Sequence, residues 1–365
     1  MLGNEIIIPL IIICTSSALF SSIFTSLLFP FAHDFGFKYK ILDIPNPRKI
    51  HKKPTPRTGG LVIVCSFYIS LLITILVSNF FKLNLFNFDD LYTILVGSSL
   101  FALIGIFDDI LSASAFKRLF LQIIISSLIF SQGIRIESIA IFPSSLGNII
   151  EIHPSISFLI TIIWITGLTN AINWVDGIDG LLSIFTLVSL ITFSILSFNF
   201  LNPIYLIICS ILIGIIISFF FRNISKNKIF MGDTGSFFFG SIQAILAINI
   251  STRYDVLVQG KSLNIFNPYI PLLIFSLPIL DMIRVIISRI FKGKSPFYSD
   301  KNHLHHLLSN LDFNNKQILL IVFSIIQFTS ILAILVANNN FNYALIISSF
   351  FCGSLLIFFN IGGKK

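Results

Sequence analysis

Apolar runs of roughly twenty residues recur along almost the whole chain, and that feature removes most of the folds otherwise open to 365 residues. About 30 Å of hydrocarbon is crossed by roughly 20 helical residues, and inside lipid every backbone N–H and C=O has to be satisfied within the segment. Continuous runs rather than alternating ones indicate helices, not barrel strands. The composition agrees, with 55% of residues hydrophobic and only 11% charged, far from the balance of a water-soluble domain. The expected fold is all-α, a polytopic membrane bundle of about 10–11 transmembrane helices, with residues 1–365 forming one integral membrane domain.

Segmentation by hydropathy places spans near 6–30, 60–81, 91–107, 119–136, 155–171, 181–198, 203–221, 236–250, 268–288, 317–337 and 342–360. No basic stretch precedes the first run, which reads as a retained helix rather than a cleaved signal peptide. Cys14, Cys65, Cys209 and Cys352 each lie inside an apolar run without C-x-x-C spacing, so they read as packing residues. No internal repeat supports an inverted-repeat transporter.

Alternating the loops from an outside N-terminus puts 31–59, 108–118, 172–180, 222–235, 289–316 and the tail on one face, with 19 of the 24 Lys and Arg. The positive-inside rule makes that face cytoplasmic. The same segmentation, made without regard to acidic residues, gathers Asp108, Asp109, Asp176, Asp179, Asp233 and the His303–His306 cluster there. Ionisable groups at bundle ends are costly unless paired or functional, so a shared site is expected.

Each element also has a plainer reading. In GIFDDIL (105–111) adjacent Asp residues point about 100° apart on a helix, so one would face the bundle and one the solvent, or both are a charged stop. In NAINWVDGIDG (170–180) Asn173, Asp176 and Asp179 are three apart, close on a helix or gathered in a loop by Gly177 and Gly180. Such oxygens suit a hard cation such as Mg²⁺, or simply cap a turn. In KIFMGDTGSFFFG (228–240) Asp233 stands at a helix start, as an N-cap or beside N–H groups able to cradle a phosphate.

SPFYSDKNHLHHLL (295–308) carries His303, His305 and His306 among lysines with no cysteine near, which favours phosphate contact or proton carriage over zinc. HKKPTPRTGG (51–60), with Lys53, is either ordinary basic flanking or a loop that grips phosphate. Asp281 and Arg284, three apart in an apolar run, read as a structural ion pair. Together these elements describe a place where phosphates are handled with a divalent cation, one substrate arriving from water and one from lipid.

IPNPRKIHKKPTPRTGG, IFDDIL, NAINWVDGIDGL, IFMGDTGSFFFG and KGKSPFYSDKNHLHHLL resemble, in order, the motifs of the polyprenyl-phosphate N-acetylhexosamine-1-phosphate transferases, from about Ile44 to Leu308. The resemblance implies Mg²⁺, with Mn²⁺ as the alternative, held by Asn173 and Asp233, and Asp108 and Asp109 near the attacking phosphate. It implies a nucleotide-side loop with Asp176 and Asp179, uridine contacts at Asn223 and Phe230, Lys53 on the substrate side, and His303, His305 and His306 over the phosphates. The reaction implied is transfer of a HexNAc-1-phosphate, GlcNAc-1-phosphate before others, from a UDP-N-acetylhexosamine to undecaprenyl phosphate with release of UMP. That would be the first membrane step of a bacterial cell-envelope polysaccharide, at the cytoplasmic face of the inner membrane. Nucleic acid is not an expected partner, and a homodimer is compatible with the resemblance. The phospho-N-acetylmuramoyl-pentapeptide branch, which the interrupted NHLHH disfavours, and a secondary transporter are the rival readings.

Overall fold

The computed structural model describes residues 4–45, 53–83, 85–86, 88–140, 149–200, 202–258, 261–298, 302–338 and Gly353. Its helices are α1 (Asn4–Lys38), α2 (Gly59–Phe80), α3 (Phe88–Leu111), α4 (Ala115–Ser131), α5 (Pro154–Val175), α6 (Leu181–Asn199), α7 (Pro203–Asn223), α8 (Gly232–Ser251), α9 (Tyr269–Ile274), α10 (Ser276–Phe291), α11 (Leu304–Asn310) and α12 (Asn315–Ala337). Short strands are β1 (Leu42–Asp43), β2 (Thr55–Pro56), β3 (Ser138–Ala140), β4 (Ile149–Glu151), β5 (Thr252–Val258) and β6 (Lys261–Phe266).

The chain is thus a polytopic helical membrane bundle, and eight helices among the described residues are long and apolar enough to cross a bilayer: α1, α2, α3, α5, α6, α7, α8 and α12. That is fewer than the hydropathy count. The run at 119–136 gives α4, whose 17 residues end just before Gly133, where φ is +99°. The run at 268–288 is broken at Phe275 into α9 and α10. The span expected at 342–360 lies, apart from Gly353, outside the described residues.

The centre of the bundle is α8, fully buried and the least hydrophobic of the eight. A helix that never meets lipid needs no apolar surface and can carry Thr234, Ser236, Ser241, Gln243 and Asn249. Around it pack α2, α3, α5 and α6. At the rim, α1 lies close against α7 because small residues face each other, as is common between helices in lipid. A Cβ on Gly214 would overlap the Ala18 carbonyl, and Ser21 Oγ donates to the Ile211 carbonyl at 2.9 Å.

The two ends of the bundle differ. One is closed by a four-stranded sheet in the order β4-β3-β6-β5, built from the segments that follow α4 and α8. At the other end the C-termini of α3, α5 and α7 meet the N-terminus of α8. A Cβ on Gly105 would overlap the Asp233–Thr234 backbone, so α3 reaches the first turn of α8 only because that position is glycine.

Candidate active site

Both carboxylates of the Asp108–Asp109 pair are turned into the bundle, a correction to the expectation that one faces solvent. Asp109 Oδ1 accepts from the Asp233 N–H at 2.9 Å, and its Oδ2 accepts from the Thr234 N–H at 3.0 Å and Oγ1 at 2.7 Å. The N-terminus of α8 is therefore capped by a residue of α3. Asp233 is not the N-cap; it lies in the first turn, after Met231 and Gly232. Two of the N–H groups that a phosphate would use are already taken.

Asp108, buried on the other side of α3, meets Arg118 of α4. Arg118 Nη1 donates to Asp108 Oδ2 at 2.8 Å and to Asp233 Oδ2 at 3.0 Å. Asp233 Oδ1 accepts from Asn173 Nδ2 at 2.7 Å, and Asn173 also reaches Ser236 Oγ at 2.7 Å. Three helices thereby converge on one carboxylate. Asp108 Oδ1 is buried with no hydrogen-bond partner, a costly state for a charged oxygen unless a proton or cation shares it.

NAINWVDGIDG leaves its helix at Val175, so Asp176 and Asp179 sit in a loop. Gly180, at φ +84°, turns the chain into α6, and its N–H is held by Asn223 Oδ1 at 2.6 Å. Asn223 Nδ2 donates to the Ile229 carbonyl at 3.1 Å, tying the end of α7 to the loop before α8. Lys228 pairs with Asp179 at 2.6 Å and lies 5.0 Å above the Phe230 ring. The Phe230 N–H donates to the Pro56 carbonyl at 2.8 Å, while Gly59 donates back to the Phe230 carbonyl at 3.0 Å.

These loops surround a cavity of about 440 Å³ lined by Asp43, Arg57, Asp109, Asn173, Asp176, Asp179, Asn223, Lys228, Phe230, Asp233, His305 and His306, among others. Lys53 is exposed and does not line it; Arg57, from the same motif and paired with Asp43, does. Arg57, Arg118 and Lys228 are the cations that sequence reasoning left unassigned. Arg57 and Lys228 lie inside the HKKPTPRTGG and KIFMGDTGSFFFG motifs, whereas Arg118, nine residues beyond the Asp pair, carries no local signal.

The histidines divide. His305 and His306 line the cavity, while His303 lines a second space of about 470 Å³ with Arg118, Trp174, Met282, Ile286 and Arg289. His305 is buried, and a Cβ on Gly177 would overlap its ring. Burial first, then the neighbouring His306 and His303, pushes its pKa down to about 3. It is a neutral imidazole at physiological pH. The second space is half-open and mostly apolar, and Arg118 forms part of the wall between it and the Asp233 carboxylate.

Residues 91–251 match glycosyl transferase family 4. A probable undecaprenyl-phosphate N-acetylglucosaminyl 1-phosphate transferase of Bacillus subtilis (strain 168) is 30% identical over 309 residues, covering 85% of this chain and 81% of its own. The chain belongs to this family. An undecaprenyl-phosphate alpha-N-acetylglucosaminyl 1-phosphate transferase of Yersinia pestis is 27% identical, covering 80% of this chain and 75% of its own. A decaprenyl-phosphate N-acetylglucosaminephosphotransferase of Mycobacterium leprae is 26% identical, with 76% and 72% covered. The protein is a multi-pass membrane enzyme of the polyprenyl-phosphate sugar-1-phosphate transferases.

Family 4 enzymes generally use Mg²⁺. Among the described residues no group of three or more His, Cys, Asp or Glu side chains is arranged to hold a metal ion. The donor chemistry nonetheless fits one. Mg²⁺ is commonly held by one or two carboxylates, with water and substrate phosphate oxygens completing its shell. Asp109, Asp176 and Asp233 line one cavity with Asn173, and the unpartnered Asp108 Oδ1 lies behind them.

Proposed function

We propose that this enzyme transfers GlcNAc-1-phosphate from UDP-GlcNAc to undecaprenyl phosphate at the cytoplasmic face, releasing UMP. One observation carries the reading. The Asp108–Arg118–Asp233 cluster stands between a polar cavity sized for a nucleotide sugar and an apolar groove suited to an isoprenoid tail. The donor's diphosphate and the acceptor's phosphate meet there, each entering from its own phase. The names of the relatives support the sugar, because each of those described is an N-acetylglucosamine-phosphate transferase.

In this reading Phe230, Asn223 and Asp179 position the uridine, and Lys228 and Arg57 offer charge to the diphosphate. Asn173 and Asp233 would hold Mg²⁺, which would supply neutralisation of the diphosphate charge. Arg118 presents its remaining donors to the acceptor phosphate. An acceptor oxygen attacks the β-phosphorus, a new P–O–P linkage forms, and the bond from the β-phosphorus to the bridging oxygen breaks, that oxygen leaving with UMP. Phosphoryl transfer asks little more of a protein than this positioning and charge neutralisation. Asp108, whose free Oδ1 is the unpartnered oxygen of the cluster, orients the acceptor or takes its proton. His305 and His306 close over the diphosphate.

The test is purified protein in detergent with undecaprenyl phosphate, Mg²⁺ and a panel of UDP-sugars, followed by UMP release and the lipid-linked product. UDP-GlcNAc turnover that depends on Mg²⁺ and falls at least about a hundredfold in Asp233→Ala is expected, the scale on which loss of charge stabilisation acts. Absence of UMP with every donor sinks the reading, and turnover with a different amino sugar replaces the donor.

A further inference from the structure

His303 is set apart from the other two histidines by what holds it. Its Nδ1 lies 3.0 Å from Asp281 Oδ2, and Asp281 Oδ1 accepts from the Leu304 N–H at 2.9 Å and from Arg284 Nη2 at 2.8 Å. The carboxylate is buried, at 6% exposure, on α10. Arg284 also donates to the Asn302 carbonyl, so Asp281 and Arg284 together grip the chain on both sides of His303. The imidazole stands edge-on to Trp174, ring centroids 5.1 Å apart, and the Arg289 guanidinium lies 5.0 Å over that indole. Rotation of the ring is blocked on one side by Trp174 and tied on the other by the carboxylate.

An ionised carboxylate accepts hydrogen bonds and donates none. The proton in the His303–Asp281 bond therefore belongs to Nδ1, and the nitrogen left for a ligand is Nε2. His303 lines the apolar groove rather than the nucleotide cavity, beside Arg118. We infer that Asp281 is a positioning residue for the lipid substrate: it fixes the orientation and tautomer of His303 so that Nε2 meets the polyprenyl phosphate at the mouth of the groove. The inference rests on the function proposed above, and it gives the Asp281–Arg284 pair a task that a structural ion pair does not have.

Asp281→Asn tests it while nearly conserving shape. Its carbonyl can still accept from Leu304 and Arg284, but its amide faces His303 Nδ1 with a donor, which drives the imidazole proton to Nε2 or breaks the bond. Orienting partners of this kind are worth about 10–100-fold when removed. The expected result is a kcat lower by that factor with undecaprenyl phosphate as acceptor, with the KM for the UDP-sugar within about twofold of wild type. His303→Gln should show the same loss, and the double variant should lose no more than either single one, since Asp281 acts through His303. Additive losses, or full activity in either variant, overturn the proposal.

A binding arm keeps this separate from the identity of the reaction. Farnesyl phosphate, titrated against the fluorescence of the chain's two tryptophans, should bind Asp281→Asn about tenfold more weakly than wild type, the lower end of the same range. If wild type turns over no donor, the proposed function fails and this titration alone decides the inference. Equal affinities, or no binding by wild type, overturn it. Thermal unfolding of each variant identifies any that is misfolded, and His303→Gln, which leaves the Asp281, Arg284 and Leu304 bonds intact, carries the test if Asp281→Asn does not fold.

Discussion

His305 shows what burial does to a residue that sequence reading treats as a proton carrier. Held at a pKa of about 3 against an ordinary 6.5, it stays neutral in the folded protein while the unfolded chain takes up a proton. The depressed value therefore costs nothing above pH 6.5. The penalty begins as pH falls through 6.5 and grows until about pH 3, because in that window the unfolded state binds the extra proton. At pH 5 the linkage amounts to about 2 kcal/mol of lost stability. His305→Gln removes the titrating group, so its stability between pH 7 and pH 5 should fall less steeply than wild type's by about that amount. Denaturant titrations in detergent at the two pH values measure the difference; identical slopes would mean that His305 is not held neutral. Sequence reading could find the three histidines but not divide them, since the division depends on Gly177 admitting one ring and on Asp281 of α10 claiming another.

The interplay of α3 and α8 explains why membrane helices were easier to foresee than the contacts between them. Apolar length is a local property, so the eight spans were legible, as was the gathering of the acidic motifs at one bundle end. The cap of α8 was not, because its acceptor comes from Asp109, 124 residues away. Nor was the break at Phe275 between α9 and α10, or the bond from the Leu304 N–H to Asp281 of α10. A cap supplied from another helix has a measurable signature. Asp109→Ala leaves the N–H groups of Asp233 and Thr234 without an acceptor in a fully packed helix, and loss of an N-cap costs about 1–2 kcal/mol. Its stability should fall by about that much, and hydrogen exchange should quicken at Asp233 and Thr234 before it changes at the far end of α8. Uniform quickening along α8 would count against a capping role.

At the scale of the whole molecule, the polarity of the bundle ends is what makes a two-phase reaction feasible. The acidic cavity, the apolar space lined by Arg118 and His303, and the histidine segment share one end, and the small sheet closes the other. The loops that hydropathy and the positive-inside rule assign to the cytoplasm carry 19 of the 24 Lys and Arg, and the cytoplasmic orientation proposed from them can be measured without any assay of the reaction. Lys53 and Lys294 are exposed at the cavity end, and Lys261 is exposed on the sheet. With the native cysteines replaced by serine, Lys53→Cys and Lys294→Cys should react with a membrane-impermeant maleimide only in inverted vesicles. Lys261→Cys should react in right-side-out vesicles. The opposite pattern would put the cavity on the side away from the nucleotide pool, where a UDP-sugar donor is absent. It would therefore remove the proposed donor as well as the assigned topology, even if the carboxylate cluster stood as described.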